Sequence, residues 1–146
     1  MRRPRLSRDA KLDRLSGVQL FSACRKRDLT RIAALTEEVD VPAGRVLIRR
    51  GDTGRQCFVI VEGTAKVSLP GRKAARLGPG ECFGELALLE RAPRSADVTA
   101  ETDMHLLVLG SREFSTLIAD VPSVARGVLE AVATRVRTAE RARPQH

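Results

Sequence analysis

The chain has 146 residues, 42% of them apolar and 30% charged, which is the size and composition of one globular domain with a sizeable core. It has no run of eighteen apolar residues, and its three cysteines are widely spaced and odd in number. These features argue against a membrane span and a disulfide framework and predict a cytoplasmic protein with free, buried or half-buried thiols. The formal net charge is +8, and residues 1–31 hold ten Arg and Lys against three Asp, so the positive excess lies at the beginning of the chain.

The first 37 residues are expected to be basic and helical. Residues 1–10 are predicted to be a flexible basic tail and residues 11–37 a helical leader. The leader would contain one helix from Ala10 to about Leu20, with a break at Ser16-Gly17, and a second over Lys26–Thr36. A basic arm of this kind binds nucleic acid, acidic lipid or an acidic protein surface, or it is only a solvated helix face. The sequence leaves these alternatives open.

Residues 38–110 are predicted to form β-strands. Short apolar and β-branched runs are separated by turn signals such as Gly51-Asp52-Thr53-Gly54 and Gly78-Pro79-Gly80. Strands of this length at regular spacing favour an antiparallel roll or barrel over βαβ units. The candidate strands are Val46–Ile48, Phe58–Val61, Ala65–Leu69, Ala74–Leu77, Ala96–Ala100 and His105–Leu109.

Residues 111–142 return to a helical pattern. Ser111 is the predicted N-cap of a short helix, and a longer helix is expected to start at Asp120-Val121-Pro122. The longer helix carries an apolar stripe that needs to be buried against the roll or against a second copy of the chain. Its members are Val121, Val124, Ala125, Val128, Leu129, Val132, Ala133 and Val136.

The groups best suited to bind an anion lie between residues 83 and 96. Phe83-Gly84-Glu85 precedes a predicted helical turn over Leu86–Leu89, whose free backbone N–H groups and positive dipole end suit a phosphate. Arg94 offers a permanently charged donor fork to two phosphate oxygens, and Glu85 can accept hydrogen bonds from a sugar hydroxyl. Gly84 lets a ligand approach the backbone closely. The structural alternatives are an ion pair between Glu85 and Arg94 and a simple turn at Gly84.

This segment resembles a known cassette. The motif Phe83-Gly84-Glu85-Leu86-Ala87-Leu88-Leu89, followed by Pro93-Arg94-Ser95-Ala96, resembles the phosphate-binding cassette of cyclic-nucleotide-binding domains. That family includes the regulatory subunits of cAMP-dependent protein kinase and catabolite-activator-type regulators. Arg94 follows Glu85 by nine positions, as in the kinase-type cassette, and the resemblance extends over residues 18–137.

The resemblance implies a fold and a set of contacts. The fold would be α+β and mainly β, an antiparallel β-roll or jelly-roll barrel with flanking N-terminal helices and a C-terminal hinge and lid helix, in a single domain over residues 11–146. It implies that Glu85 binds the ribose 2′-hydroxyl and that Arg94 pairs with the exocyclic phosphate oxygens. The backbone of Leu86 and Ala87 would hold the same phosphate, and Ser95 would add a hydroxyl near the phosphate or the base. The implied ligand-binding residues are Phe83, Gly84, Glu85, Leu86, Ala87, Arg94, Ser95 and Ala96.

Some positions modify these expectations. The chain has no Trp or Tyr to cover the base, so the nearest lid candidates are Val132, Arg135 and Val136. Asp97 and Glu90 add negative charge near the phosphate site, which is expected to lower the affinity. Ser95 is compatible with either purine, and cAMP is the expected ligand, with cGMP as the alternative.

The expected function is that of a stand-alone cyclic-nucleotide receptor that signals through its C-terminal helix to an effector protein or to a second copy of itself. Catalysis is not expected, because the only histidines, His105 and His146, are far apart and belong to no metal or nucleophile motif, and no metal or cofactor is implied. No helix-turn-helix DNA-binding domain is expected after the long helix. The alternatives are a degenerate β-roll interaction module and a basic nucleic-acid-associated protein without nucleotide binding.

Overall fold

The computed structural model describes residues 5–53, 56–84 and 96–142, with side chains omitted at residues 135, 136 and 138–142. Within these ranges the chain runs through a helical leader, then strands, then two helices, in the predicted order. The leader contains α1 (Arg8–Ser16), a 3₁₀ turn (Gln19–Phe21) and α2 (Lys26–Leu35). The strands are β1 (Glu37–Val41), β2 (Val46–Ile48), β3 (Gln56–Glu62), β4 (Ala65–Ser68), β5 (Ala75–Leu77), β6 (Cys82–Phe83), β7 (Asp97–Ala100) and β8 (Met104–Gly110). The last helices are α3 (Ser111–Asp120) and α4 (Pro122–Ala142).

The leader is ordered closer to its start than the sequence predicts. Helix α1 begins at Arg8, because the hydroxyl of Ser7 accepts a hydrogen bond from the backbone N–H of Ala10 at 3.1 Å and caps the first turn. The expected tail over residues 1–10 is therefore wrong for residues 8–10. The predicted break at Ser16-Gly17 is confirmed, since α1 ends there and the 3₁₀ turn follows.

The strands form two four-stranded antiparallel sheets. Sheet A has the strand order β1-β8-β3-β6, and sheet B has the order β2-β7-β4-β5. The predicted β-roll is thereby confirmed, but the sequence did not predict β1 as a strand. Its sequence Glu-Glu-Val-Asp-Val contains three acidic residues, which are rare in strands, and it is accommodated because it pairs in register with β8 along its whole length.

Sheet A separates two apolar clusters, because successive side chains of a strand point to opposite faces. The inner core lies between the sheets, and it consists of Val41, Ile48, Phe58, Ile60, Ala65, Phe83, Val98, Ala100, Met104, Leu106 and Val108. The outer core lies between sheet A and the helices, and its fully buried members include Leu15, Ile32, Leu107, Phe114, Leu117 and Val124. Strands β3 and β8 contribute to both cores, which makes them the centre of the fold.

The C-terminal helices pack on the outer core. The N-cap of α3 is Gly110 and not the predicted Ser111, which is already helical. The apolar stripe of α4 is narrower than predicted: Val124 and Val128 are buried, whereas the side chain of Leu129 is 69% exposed. Helix α4 lies so close to the 3₁₀ turn that a Cβ atom on Gly127 would be 1.9 Å from the carbonyl oxygen of Leu20.

The cysteines agree with the sequence prediction. Cys57 is buried, Cys24 and Cys82 are half-buried, and none of the three forms a disulfide within the described residues. Burial raises the pKa of Cys24, although the neighbouring hydroxyl of Ser123 acts in the opposite direction. None of the described helices has the length and apolar character needed to cross a membrane.

Candidate functional site

The predicted cassette is anchored at both ends by strands. β6 pairs with β3 just before the cassette, and β7 pairs with β2 and β4 just after it. Three of the predicted ligand-binding residues, Phe83, Gly84 and Ala96, lie in the described ranges. The others, namely Glu85, Leu86, Ala87, Arg94 and Ser95, lie outside the described residues, as does the predicted helical turn over 86–89. Their roles stay predictions.

An aromatic pair holds the entrance to the cassette. Phe83 is buried in the inner core, and its ring stacks on that of Phe58 with centroids 4.9 Å apart and an angle of 15° between the planes. The two residues are also cross-strand partners in the β3–β6 register. Such a pair fixes a strand more firmly than apolar burial alone. The chain therefore enters the cassette from a rigid point.

Gly84 follows directly and has a left-handed backbone, with φ of +92°. A residue with a Cβ atom is strained in this conformation, whereas glycine adopts it at little cost. From the sequence, a glycine was expected at this position because it lets a ligand approach the backbone closely. The structure adds a second reason, because the chain turns sharply out of β6 at this residue.

The other end of the cassette is tied to the end of β2. Ala96 is half-buried, and the carboxylate of Asp97 accepts a hydrogen bond from the backbone N–H of Arg50 at 2.8 Å. From the sequence, Asp97 was expected to weaken phosphate binding because of its negative charge. The structure gives the carboxylate a positioning contact, in which it links the start of β7 to the turn after β2.

A cavity of about 130 Å³ lies beside these two anchors. It opens between the end of β2, the following turn and the start of β3. Phe58 in its wall stacks on Phe83, and Ile48 pairs with Val98 of β7, so the cavity borders both ends of the cassette. Its described lining residues are Leu47, Ile48, Arg49, Asp52, Thr53, Gln56 and Phe58.

Sequence reasoning did not select the residues that line this cavity. Leu47, Ile48 and Phe58 carry no chemical signature beyond strand-forming character. Only the roll brings Ile48 and Phe58 next to residues that are 25 or more positions later in the chain. A motif search has no signal for such residues.

The predicted lid residues lie on α4. Val132 is half-buried and packs against the outer core, whereas the cavity is lined by inner-core residues. Arg135 and Val136 belong to the same helix, but their side chains are outside the described set. The role of these three residues as a lid stays a prediction.

A second, larger groove separates α4 from the strand that leads into the cassette. Its volume is about 410 Å³, and it is bounded by the 3₁₀ turn, the β5–β6 connection and α4. Glu81 and Cys82 line one side, and Ala131 and Thr134 of α4 line the other. The groove thus places α4 beside the cassette's entry strand with space between them.

The family model for the cyclic nucleotide-binding domain matches residues 38–121. This span covers the roll from the second residue of β1 onward and all of α3, and it includes the cassette. The chain belongs to the cyclic nucleotide-binding domain family.

Individual relatives agree with this assignment. The chain is 39% identical over 111 residues to a cyclic nucleotide-gated potassium channel of Mesorhizobium japonicum, covering 76% of the chain and 31% of the channel. It is 35% identical over 99 residues to a cAMP-dependent protein kinase regulatory subunit of Eremothecium gossypii, covering 68% of the chain and 22% of the subunit. The chain thus spans about a third or less of the length of these relatives.

A solved structure covers nearly the same extent as this chain. The N-terminal domain of a transcriptional regulator from Streptomyces coelicolor superposes with a TM-score of 0.72 at 33% identity, covering 90% of the chain and 98% of the domain. The domain of this family predicted from the cassette motif is therefore confirmed.

Proposed function

We propose that this chain is a cAMP receptor domain, with cGMP as a weaker ligand, and that it signals to an effector protein through α4. The nucleotide phosphate would be bound by Arg94 and by the backbone of Leu86 and Ala87, and the ribose 2′-hydroxyl by Glu85. Family membership supports a cyclic nucleotide as the ligand. The choice of cAMP rests on relatives, since the matching kinase subunit is cAMP-dependent and a Thermus thermophilus relative, 30% identical over 131 residues, is a cyclic AMP receptor protein.

The observation that carries this proposal is the anchored frame around the cassette. Phe83 is fixed on Phe58, Asp97 is fixed on the backbone of Arg50, and a cavity lies beside both. Anchoring both ends of a binding segment reduces the conformational entropy that the segment loses when a ligand binds. Both charged residues of the family motif, Glu85 and Arg94, are present in the intervening sequence.

Signalling through α4 is supported by where that helix lies. The large groove puts Ala131 and Thr134 across from Glu81 and Cys82, which lead into the cassette. A ligand that draws the cassette toward its anchored entry strand would change the room available to α4, which lies across the groove from that strand. Binding then biases α4 between positions, and an effector that contacts the helix detects the difference.

The first test is calorimetric titration of the purified chain with cAMP and cGMP, in the wild type and in Arg94→Ala. Removing one partner of a buried charge-assisted pair costs about 2–5 kcal/mol, so Arg94→Ala should weaken cAMP binding by roughly 30-fold or more. The matched control is Arg91→Ala, which removes the same charge three positions earlier and outside the family motif. If both variants weaken binding equally, Arg94 contributes only general positive charge and does not contact the phosphate specifically.

The second test separates the sugar contact from the phosphate contact. Glu85→Ala should cost about 1.5–3 kcal/mol for cAMP and much less for 2′-deoxy-cAMP, because the deoxy ligand has no hydroxyl for the carboxylate to accept from. Glu90→Ala serves as the control for loss of a carboxylate in the same segment. If Glu85→Ala weakens the binding of cAMP and 2′-deoxy-cAMP equally, Glu85 does not contact the ribose 2′-hydroxyl.

The third test addresses the output. Hydrogen exchange of α4 should change on addition of cAMP, with the largest effect around Ala131 and Thr134, and Arg94→Ala should abolish the change at the same ligand concentration. Unchanged exchange at saturating cAMP would contradict signalling through this helix. If neither nucleotide binds a folded chain, the degenerate interaction module becomes the better description, and a mobility-shift assay over a salt series would then test nucleic acid.

A further inference from the structure

The outer face of sheet A contains a buried ion cluster that nucleotide binding does not use. His105 of β8 is 3% exposed and lies between two carboxylates of β1. Its Nε2 is 2.6 Å from an oxygen of Glu38, and its Nδ1 is 2.6 Å from an oxygen of Asp40. The Glu38 side chain is 4% exposed and that of Asp40 is 32% exposed.

The protons in this arrangement can be counted. An ionised carboxylate only accepts hydrogen bonds, and a neutral imidazole has one N–H donor and one lone pair. Two carboxylates at hydrogen-bond distance therefore require either a doubly protonated His105 or a proton on one of the acids. Because Asp40 is partly exposed and Glu38 already accepts from another donor, the imidazolium satisfies the most groups.

The same cluster holds the beginning of the chain. The carboxylate oxygen of Glu38 that faces His105 also accepts a hydrogen bond from the backbone N–H of Leu6 at 2.9 Å. The guanidinium of Arg5 donates to the backbone carbonyl of Glu38 at 2.6 Å, and the ammonium of Lys11 lies 3.9 Å from the second Glu38 oxygen. Glu38 thus joins β8 through His105 to the leader through Arg5, Leu6 and Lys11.

We propose that Glu38, His105 and Asp40 form a proton-operated latch that fastens residues 5–16 to the outer face of sheet A. With both ring nitrogens protonated, His105 fixes the Glu38 side chain in the orientation that accepts from Leu6. Loss of one ring proton leaves a lone pair facing a carboxylate, which repels it and releases Glu38 to turn away. The leader then loses the contacts of Leu6 and Lys11 with the Glu38 side chain, and α1 opens more often.

The charges around the ring set the direction of this response. Lys11 and Arg5 from the leader are positive, and Glu38 and Asp40 from β1 are negative. Glu62 of β3, which is opposite His105 in the strand register and exposed, adds a further acid on the third strand. Loss of the ring proton therefore removes the central positive charge between the Glu38 and Asp40 carboxylates, and the latch weakens.

The protonation state is tested directly by ¹⁵N NMR of the histidine rings near neutral pH. We expect two protonated ring nitrogens for one histidine, and the assignment follows from loss of that signal in His105→Gln. His146 is the only other histidine and gives the comparison within the same spectrum. A neutral His105 tautomer under these conditions would overturn the proposal.

The mechanical consequence is tested by hydrogen exchange between about pH 6 and about pH 9, corrected for intrinsic exchange rates. Protection of amides in residues 5–16 should fall by about tenfold or more as the pH rises, whereas β3 and β8 should keep theirs. Asp40→Asn keeps the size of the side chain and provides an amide that can either donate or accept, so it should remove most of this pH dependence. Persistence of the full pH response in Asp40→Asn, or its absence in the wild type, would refute the latch.

One control variant and two replacement variants complete the test. Glu101→Gln neutralises a carboxylate outside the cluster and should leave the response of the leader unchanged. If His105→Gln does not fold, Asp40→Asn and Glu38→Gln carry the test, since each keeps the shape of the native side chain. The proposal does not depend on nucleotide binding, so it can fail or hold whatever the outcome of the cAMP titrations.

Discussion

The two faces of sheet A are built differently, although the same strands supply both. Toward sheet B, β8 presents Met104, Leu106 and Val108, and the inner core is entirely apolar. Toward the helices, the same strand presents Leu107 and Leu109, but it also presents His105. The inner face is purely apolar, whereas the outer face combines apolar packing with a buried ion cluster around His105. One sheet thus carries two different kinds of interaction on its opposite sides.

Two neighbouring leucines on β8 test whether the two faces of sheet A are independent. Leu106 and Leu107 are both fully buried, one in each core, so Leu106→Ala and Leu107→Ala remove the same atoms from opposite faces. Each should lower the free energy of unfolding by about 2–5 kcal/mol, measured by urea titration with far-UV circular dichroism. Val46→Ala, at a side chain that is 37% exposed, is the control and should cost far less.

The pair should differ in function while resembling each other in stability. Leu106→Ala should weaken cAMP binding because it loosens the frame, and Leu107→Ala should instead raise hydrogen exchange in α1 and α4. If both variants weaken cAMP binding equally, the two faces of sheet A do not have separate effects on binding.

A smaller effect is expected where α4 contacts the 3₁₀ turn. Gly127→Ala places a methyl group 1.9 Å from the carbonyl oxygen of Leu20, so the helix must shift, at a cost of about 1–3 kcal/mol. Gly17→Ala is a matched control, because its new Cβ atom would meet its nearest neighbour, the Arg14 carbonyl oxygen, at an ordinary 3.6 Å. The control should be neutral or slightly stabilising. Thermal unfolding of both variants checks this, and a neutral Gly127→Ala would show that α4 is loosely held.

The smallest effect is expected away from both faces, at the exposed pair Arg76 and Glu101. The Arg76 guanidinium donates to both oxygens of the Glu101 carboxylate, and these hydrogen bonds lower the pKa of Glu101. A lowered folded-state pKa gives a contribution that is complete above the ordinary carboxyl range and is lost as the pH falls through the lowered value. Arg76→Gln should therefore have a small effect on the urea midpoint at neutral pH and none at strongly acidic pH. A loss near that of Leu106→Ala would contradict the low value of exposed ion pairs.

Much of this fold follows from local pattern. Apolar runs separated by glycine turns predicted the roll, and the helical apolar spacing after Pro122 predicted α4. The cassette motif predicted the family. These signals are readable because each depends on residues that are close in sequence, where spacing directly sets which side chains share a face.

The features that the sequence did not predict also have identifiable physical causes. Strand β1 was missed because Glu37, Glu38 and Asp40 read as solvent-exposed residues, and Glu38 is in fact buried against His105. His105 itself was considered only as a metal ligand or a catalytic base, and the structure places it in an ion cluster. The apolar spacing of α4 did not predict that Leu129 is exposed. The spacing shows which residues share a face of the helix, but the surface against which the helix packs decides how many of them are buried.

By itself, the sequence determined the order of helices and strands, the nucleotide-binding family and the charged residues that the cassette offers, since all of these are encoded within short stretches of chain. Only the tertiary structure decided that Phe58 stacks on Phe83, that Gly127 lies against Leu20, and that Glu38 joins His105 to the leader. These contacts connect residues from 25 to more than 100 positions apart, and no local spacing specifies them. They exist because folding the roll and packing the helices on it brings those particular side chains and backbone groups to the same place.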